Sequence, residues 1–209
     1  MREPGLMPTA DSGGRDLQAI FLDRDGTINR ERADYVKSWQ EYEWLPGALD
    51  ALAALAQLDV PILIVTNQSA IGRGILSVDD LAAIHARVRA EALAAGARID
   101  QFLVCPHAPG DACSCRKPKP GLLVQAAAEY KLDLARCVFI GDSITDLMAG
   151  AAAGCRCILV RTGRQGSALD SMLAELAPKL AATPIINDLA AAARQLVTAS
   201  NPLTEASRE

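Results

Sequence analysis

The sequence predicts an α/β protein built on a single doubly wound, mostly parallel sheet. Short runs rich in Ile, Val, Leu and Phe recur along the 209 residues, and longer Ala/Leu-rich stretches separate them. Such runs suit strands covered on both faces. Their alternation with helical stretches is the order of a parallel sheet with crossover helices. Half of the residues are hydrophobic, enough for one domain with a substantial core.

The runs are QAIFLD, VPILIVT, QFLVC, CVFIG, RCILV and, more weakly, PIIND. Helices are expected over Pro46 to Gln57, Ser77 to Ala95, Pro120 to Lys131, Ile144 to Ala153, Ser167 to Ala181 and Leu189 to Val197. Pro46 can occupy a first helical turn, where its missing N–H costs nothing. Ser77 is an N-cap candidate, with Asp79 and Asp80 favoured by the first-turn dipole. Gly96 and Gly154 suit helix ends. Residues 1–17 read as a flexible lead-in, 18–198 as the domain, and 199–209 as a polar tail.

Ligands of open α/β sheets bind at the carboxyl ends of the strands. Asp23 and Asp25 follow the first run, and Thr66, Asn67 and Gln68 end the second. Asp142, Ser143 and Asp146 follow CVFIG. Several acids, a hydroxyl and a lysine, Lys117, therefore converge on one rim. Clustered carboxylates are tolerable around Mg²⁺, which takes oxygen ligands and commonly bridges to phosphate. A carboxylate can also attack phosphorus, with the metal, lysine and hydroxyl stabilising the transferring charge. A neighbouring acid can then manage the proton. A lone Asp at a strand end is ordinarily a cap, but three such motifs on three strands are poorly explained by capping.

DRDGT, IVTNQ, RKPKPG and GDSITD, in chain order, resemble the four motifs of the haloacid dehalogenase (HAD) superfamily, over about Ala19 to Val160. The resemblance implies that Asp23 is the nucleophile and Asp25 the general acid/base. Thr66 and Lys117 would bind the phosphoryl group. Asp142 would complete the Mg²⁺ site with Asp23 and the backbone carbonyl of Asp25. Asp146 would orient a metal-bound water or simply occupy a first helical turn. Gly26 permits the tight turn, and Thr27 braces it.

The segment CPHAPGDACSCRKPKPG holds Cys105, His107, Cys113 and Cys115 as C-x-H-x₅-C-x-C. Three thiolates and one imidazole make a closed tetrahedral set suited to structural Zn²⁺. Cys137, Cys155 and Cys157 read as small apolar residues. His85, within LAAIHARV, reads as an ordinary helical residue. With this insert, the motifs resemble the heptose-bisphosphate 7-phosphatases and the related histidinol-phosphate phosphatases. These have no large cap domain, and the segment after Asn29 is too short for one. Loops must then supply substrate contacts: Asn29 and Tyr35, then Asn67 and Gln68, with Arg73 and Arg116. One departure stands out, TNQSA with Ala70 where the resemblance implies TNQSG.

The resemblance thus implies a Mg²⁺-dependent sugar-phosphate phosphatase in lipopolysaccharide precursor synthesis. A phospho-receiver fits less well, because its acceptor Asp follows a later strand than the acidic pair. A zinc-loop nucleic-acid binder is disfavoured by a net charge of -4 and 4% aromatic content. No run reaches the length of a membrane span, and no signal-peptide core precedes the first run. The expectation is a cytoplasmic monomer with no nucleic-acid or membrane partner.

Overall fold

The computed structural model describes residues 17–200. The expected lead-in therefore lies outside the described residues, apart from Leu17, which packs against the core. Most of the expected polar tail lies outside them too.

Six strands form one sheet: β1 (Ala19–Leu22), β2 (Ile62–Asn67), β3 (Gln101–Cys105), β4 (Cys137–Gly141), β5 (Arg156–Val160) and β6 (Ile185–Ile186). Each coincides with a predicted run. Their order is β3-β2-β1-β4-β5-β6, and every pairing is parallel. The chain works outward from β1 to β3, then returns to start again at β4 beside β1. The order therefore reverses between β1 and β4, where the loops leave in opposite directions and open a crevice.

Alternation sorts the strands into two faces. Ile20, Leu22, Ile62, Ile64, Val138 and Ile140 point to one side. There they meet α1 (Ala48–Ala56), α3 (Val78–Ala94) and α7 (Leu189–Ser200). Phe21, Leu63, Val65, Leu103 and Phe139 point to the other side, under α4 (Gly121–Tyr130) and α5 (Ile144–Ala153). All six side chains on the first side are fully buried. Each contributes about 1.5–3 kcal/mol on transfer from water.

Ser77 caps α3 by accepting from the Asp80 N–H, and Gly96 and Gly154 close α3 and α5 at positive φ, as expected. Three helix boundaries differ from expectation. Pro46 lies outside α1, because Gly47 between them is left-handed at φ 73°. The stretch Ser167 to Ala181 does not form one helix. It yields α6 (Leu169–Leu176), then a 3₁₀ turn, Pro178–Leu180. A residue before proline is pushed out of the helical region, and Ala177 sits at φ -139°. The last helix runs on to Ser200 and so takes the first residues of the expected tail. A short helix, α2 (Ser69–Gly72), follows β2.

Among the described residues, no large cap covers the carboxyl ends of the strands. Residues 30–47 instead fold as a loop with one 3₁₀ turn, Trp39–Glu41. Trp39 stacks on Tyr42 at 5.2 Å, and Trp44 Nε1 donates to Glu91 on α3 at 2.8 Å. Among the described residues, no helix is long and apolar enough to cross a membrane.

Candidate active site

A cleft of about 350 Å³ opens at the β1/β4 reversal, lined by Asp23, Asp25, Thr66, Asn67, Gln68, Lys117, Asp142 and Asp146 among others. Asp23 leaves the end of β1. Its Oδ1 takes both the Arg24 N–H and the Lys117 ammonium at 2.7 Å, so Oδ2 carries neither contact. Burial pushes its carboxyl up to about 7, Lys117 opposes that, and Asp146 adds to it. Lys117 is buried, which disfavours its charge, but Asp146 and Asp23 more than restore it. It also donates to the Val65 carbonyl at 2.9 Å.

Asp25 has a different environment. Its Oδ1 accepts from Arg24 Nη2 at 2.8 Å and Asn29 Nδ2 at 2.9 Å, and its Oδ2 accepts from Gln68 Nε2 at 2.8 Å. Burial alone would raise its pKa, yet Arg24 and these donors outweigh burial and hold it below the ordinary carboxylate value. Two aspartates one residue apart are thus driven in opposite directions. Burial favours the neutral form of Asp23, and the donors around Asp25 favour its ionised form.

Asp142, after β4, is buried. Burial first, then repulsion from Asp146 and Asp23, pushes its carboxyl well above the ordinary range. Thr27 Oγ1 donates to it at 3.3 Å, so the hydroxyl expected to brace its own turn reaches across to Asp142. Gly26 holds φ +86° on the other side of the turn, and a Cβ there would lie 2.5 Å from Asp142 Oδ2. Gly163, on the loop after β5, likewise leaves room that a Cβ would fill against Asp142. Gly163 is not legible in the sequence, because a glycine beside Arg161 and Arg164 in a loop carries no sign that it packs against Asp142.

Asp146 does two jobs. Its Oδ2 completes a capping box with Ser143 at the start of α5, and its Oδ1 lies 2.6 Å from Lys117 Nζ. Asp146 thus occupies the first helical turn, with an ion pair to Lys117 added.

The residues expected to touch substrate fall into two groups. Tyr35, Asn67 and Gln68 line the cleft. Tyr35 sits at φ 68°, with its carbonyl pinned by Arg32 and Lys37 at 3.2 and 3.3 Å. Gln68 bridges Asp25 and Thr66 Oγ1. Asn67 brackets the Lys117 backbone, donating to its carbonyl at 3.2 Å and accepting from its N–H at 3.1 Å. Asn29, Arg73 and Arg116 are not in the cleft lining. Asn29 is wholly buried behind Asp25, and Arg116 Nη1 donates to the His107 carbonyl at 3.2 Å. Glu31, Arg32 and Arg164 line the mouth instead. Their loops offered no strong motif.

Both metal sites pass a test of fit. The carboxylates of Asp23, Asp142 and Asp146 come within 4.8 Å of one another. The cleft lining carries five acids against four basic side chains, an excess that a divalent cation would offset. The Asp25 carboxylate is spent on Arg24, Asn29 and Gln68, which leaves its backbone carbonyl for the expected role. In the cysteine loop, sulfur–sulfur separations are 3.3 and 3.8 Å and nitrogen–sulfur separations 3.2 and 3.6 Å. Ligands about 2.0–2.3 Å from a tetrahedral Zn²⁺ stand about 3.5–3.8 Å apart. Cys137 and Cys155 are buried in the apolar core and Cys157 is partly buried against it, as expected for small apolar residues.

Comparisons with known proteins identify the family and the fold. The family profile described as haloacid dehalogenase-like hydrolase matches residues 10–151, and a HAD-hydrolase-like profile matches residues 114–192. The chain is 39% identical to the D-glycero-β-D-manno-heptose-1,7-bisphosphate 7-phosphatase of Pseudomonas putida, over 87% of this chain and all of that one. It is 38% identical to the corresponding α-anomer enzyme of Mycobacterium tuberculosis, over 73% of this chain and 84% of that one. Among solved structures, the D,D-heptose 1,7-bisphosphate phosphatase of Bordetella bronchiseptica, complexed with magnesium and phosphate, superposes with a TM-score of 0.80. It is 41% identical and covers 87% of this chain and 99% of its own.

Proposed function

Because the chain belongs to the haloacid dehalogenase-like hydrolases, we propose that it is a phosphoric monoester hydrolase acting on D-glycero-D-manno-heptose 1,7-bisphosphate, from which it removes the 7-phosphate. The observation that carries this is the Asp23/Asp142 pair at the sheet reversal, in a chain 41% identical to a heptose bisphosphate phosphatase solved with magnesium and phosphate. The β-anomer is the proposed substrate, since the β-named relative is matched over 87% of this chain and the α-named one over 73%. The reaction serves the heptose precursor of the lipopolysaccharide core, in the cytoplasm, with the protein acting as a monomer.

Asp23 Oδ2 attacks phosphorus while Lys117 holds Oδ1, and the bond from phosphorus to the C7 oxygen breaks. The leaving alcohol takes a proton from Asp25. Water then attacks the phosphoryl-aspartate and gives a proton back to Asp25, releasing phosphate. Lys117 and the Thr66 hydroxyl hold phosphoryl oxygens through both steps. Mg²⁺ held by Asp23, Asp142 and the Asp25 carbonyl would supply positive charge for the transferring group. Zn²⁺ in the cysteine loop would have no open position and only a structural role. The three donors on Asp25 favour its base form, so the acid step runs against the resting electrostatics. Tyr35, Asn67 and Gln68 remain proposed contacts to the sugar or its second phosphate, with Asn29, Arg73 and Arg116 acting from outside the cleft lining.

The test is Mg²⁺-dependent phosphate release from both heptose bisphosphate anomers and from histidinol phosphate. The expected result is preference for the β-bisphosphate with the 1-phosphate retained, and at least a roughly thousandfold loss in Asp23→Asn. Preference for histidinol phosphate would reassign the substrate and keep the chemistry.

A further inference from the structure

Arg24, between the two catalytic aspartates, is 1% exposed. A buried guanidinium needs its donors satisfied and its charge paired. Asp25 pairs with Nη2 at 2.8 Å. The other terminal nitrogen, Nη1, lies 3.3 Å from Nε2 of His85, a residue of α3 sixty-one positions away. Guanidinium nitrogens only donate, so Nε2 must accept and the ring proton must sit on Nδ1. The His85 ring is itself buried and stacks on Phe102 of β3, with centroids 4.0 Å apart. Burial and the Arg24 charge push its pKa down to about 3, which keeps the lone pair available.

We propose that His85 is a positioning residue for the general acid/base: its Nε2 lone pair aims Arg24, and Arg24 fixes the Asp25 carboxylate. A strand-end carboxylate can rotate, and Asn29 and Gln68 grip it by neutral amides only. Arg24 adds the charged contact, and its own direction is set from the far side by His85. Two rigid layers, the β3 aromatic and the α3 imidazole, thereby stand behind a side chain that must meet first the leaving oxygen and then water. The inference rests on the phosphatase reading above.

The experiment compares His85→Phe, which can keep the stacking on Phe102 but has no acceptor, with His85→Gln, whose amide oxygen can replace Nε2. The readouts are phosphate release and exchange of ¹⁸O between inorganic phosphate and water in Mg²⁺ buffer, which needs Asp25 but no sugar. The expected result is a roughly tenfold fall in both rates for His85→Phe. Inhibition by phosphate should stay unchanged, and His85→Gln should stay within about threefold of the parent. A parental rate in His85→Phe, or equal losses in the two variants, overturns the proposal, because packing rather than the acceptor would then matter. If His85→Phe does not fold, Arg24→Lys carries the test. It keeps the charge but cannot reach both partners, and a parental rate there overturns the proposal equally. A parent protein inactive in both assays would instead remove the phosphatase reading itself.

Discussion

The crevice and the cysteine loop both gather metal-ligating side chains, yet they are held in opposite ways. In the crevice, Asp23 and Asp142 end two adjacent central strands, and Ile20, Leu22, Val138 and Ile140 beneath them are wholly buried. The core holds these acids together against their mutual repulsion. In the loop, Cys105 ends β3, but His107, Cys113 and Cys115 lie on irregular backbone only partly buried. Cys105, Cys113 and Cys115 rest on one side against the apolar cluster of Leu103, Leu122 and Leu123, and a metal shared by the four ligands would close the rest of the loop. Lys117 joins the two regions. It follows Cys115 by two residues, yet its ammonium reaches Asp23 and Asp146. A metal bound in the loop would therefore help to place the Lys117 ammonium in the crevice.

Cys113→Ser puts the largest strain on this contrast. It should release the loop and misplace Lys117, lowering phosphate release by roughly a hundredfold and the melting temperature by roughly 5 °C. Asp23→Asn should abolish turnover with the melting temperature unchanged or raised, since a repelling buried charge disappears. Thermal melts and phosphate release on the two variants decide the matter. If Cys113→Ser keeps full activity and stability, the loop is held by something other than its ligands.

Asn67→Ala sharpens the comparison from the crevice side. Asn67 makes two hydrogen bonds to the Lys117 backbone, each worth about 1 kcal/mol. Turnover should fall roughly tenfold while zinc content stays that of the parent, measured by metal analysis beside the kinetic assay. Unchanged turnover would leave the loop ligands as the dominant anchor of Lys117.

What was legible in the sequence follows the same division. Strands and acids at their ends were readable because burial on both faces forces apolar runs, and a rim acid has to follow such a run directly. The four ligands of the loop were readable from spacing alone, since all lie within eleven residues. Contacts made across the sequence were not. Nothing in LAAIHARV tells that His85 meets Arg24, because α3 brings it there only after folding. Asn29 looked like a cleft residue for its closeness to Asp25, but the turn carries it inward, behind the carboxylate. Pro46 looked like a first-turn proline until Gly47 took a left-handed conformation.

The smallest expected effect concerns pH. Asp23 titrates near 7 in the fold against an ordinary 3.8, and Asp142 is raised in the same direction. Between those values the folded protein binds more protons than the unfolded chain, so stability from these groups is present at low pH and falls as pH rises toward 7. Protein stripped of Mg²⁺ should therefore melt lower at pH 8 than at pH 5.5 through this contribution. Mg²⁺ requires the ionised carboxylates, so its stabilisation runs the other way. At ten times its dissociation constant it adds about 1.4 kcal/mol, or roughly 3–5 °C. The rise on adding Mg²⁺ should be larger at pH 8 than at pH 5.5, read by thermal melts at a fixed Mg²⁺ concentration. Asp142→Asn should flatten that difference, because it removes one of the two groups that must lose a proton. Cys113→Ser should leave the difference in place, since no carboxylate belongs to the loop set. A flattening in Cys113→Ser as large as that in Asp142→Asn would mean the two metal regions share one electrostatic unit through Lys117, rather than two joined only by position.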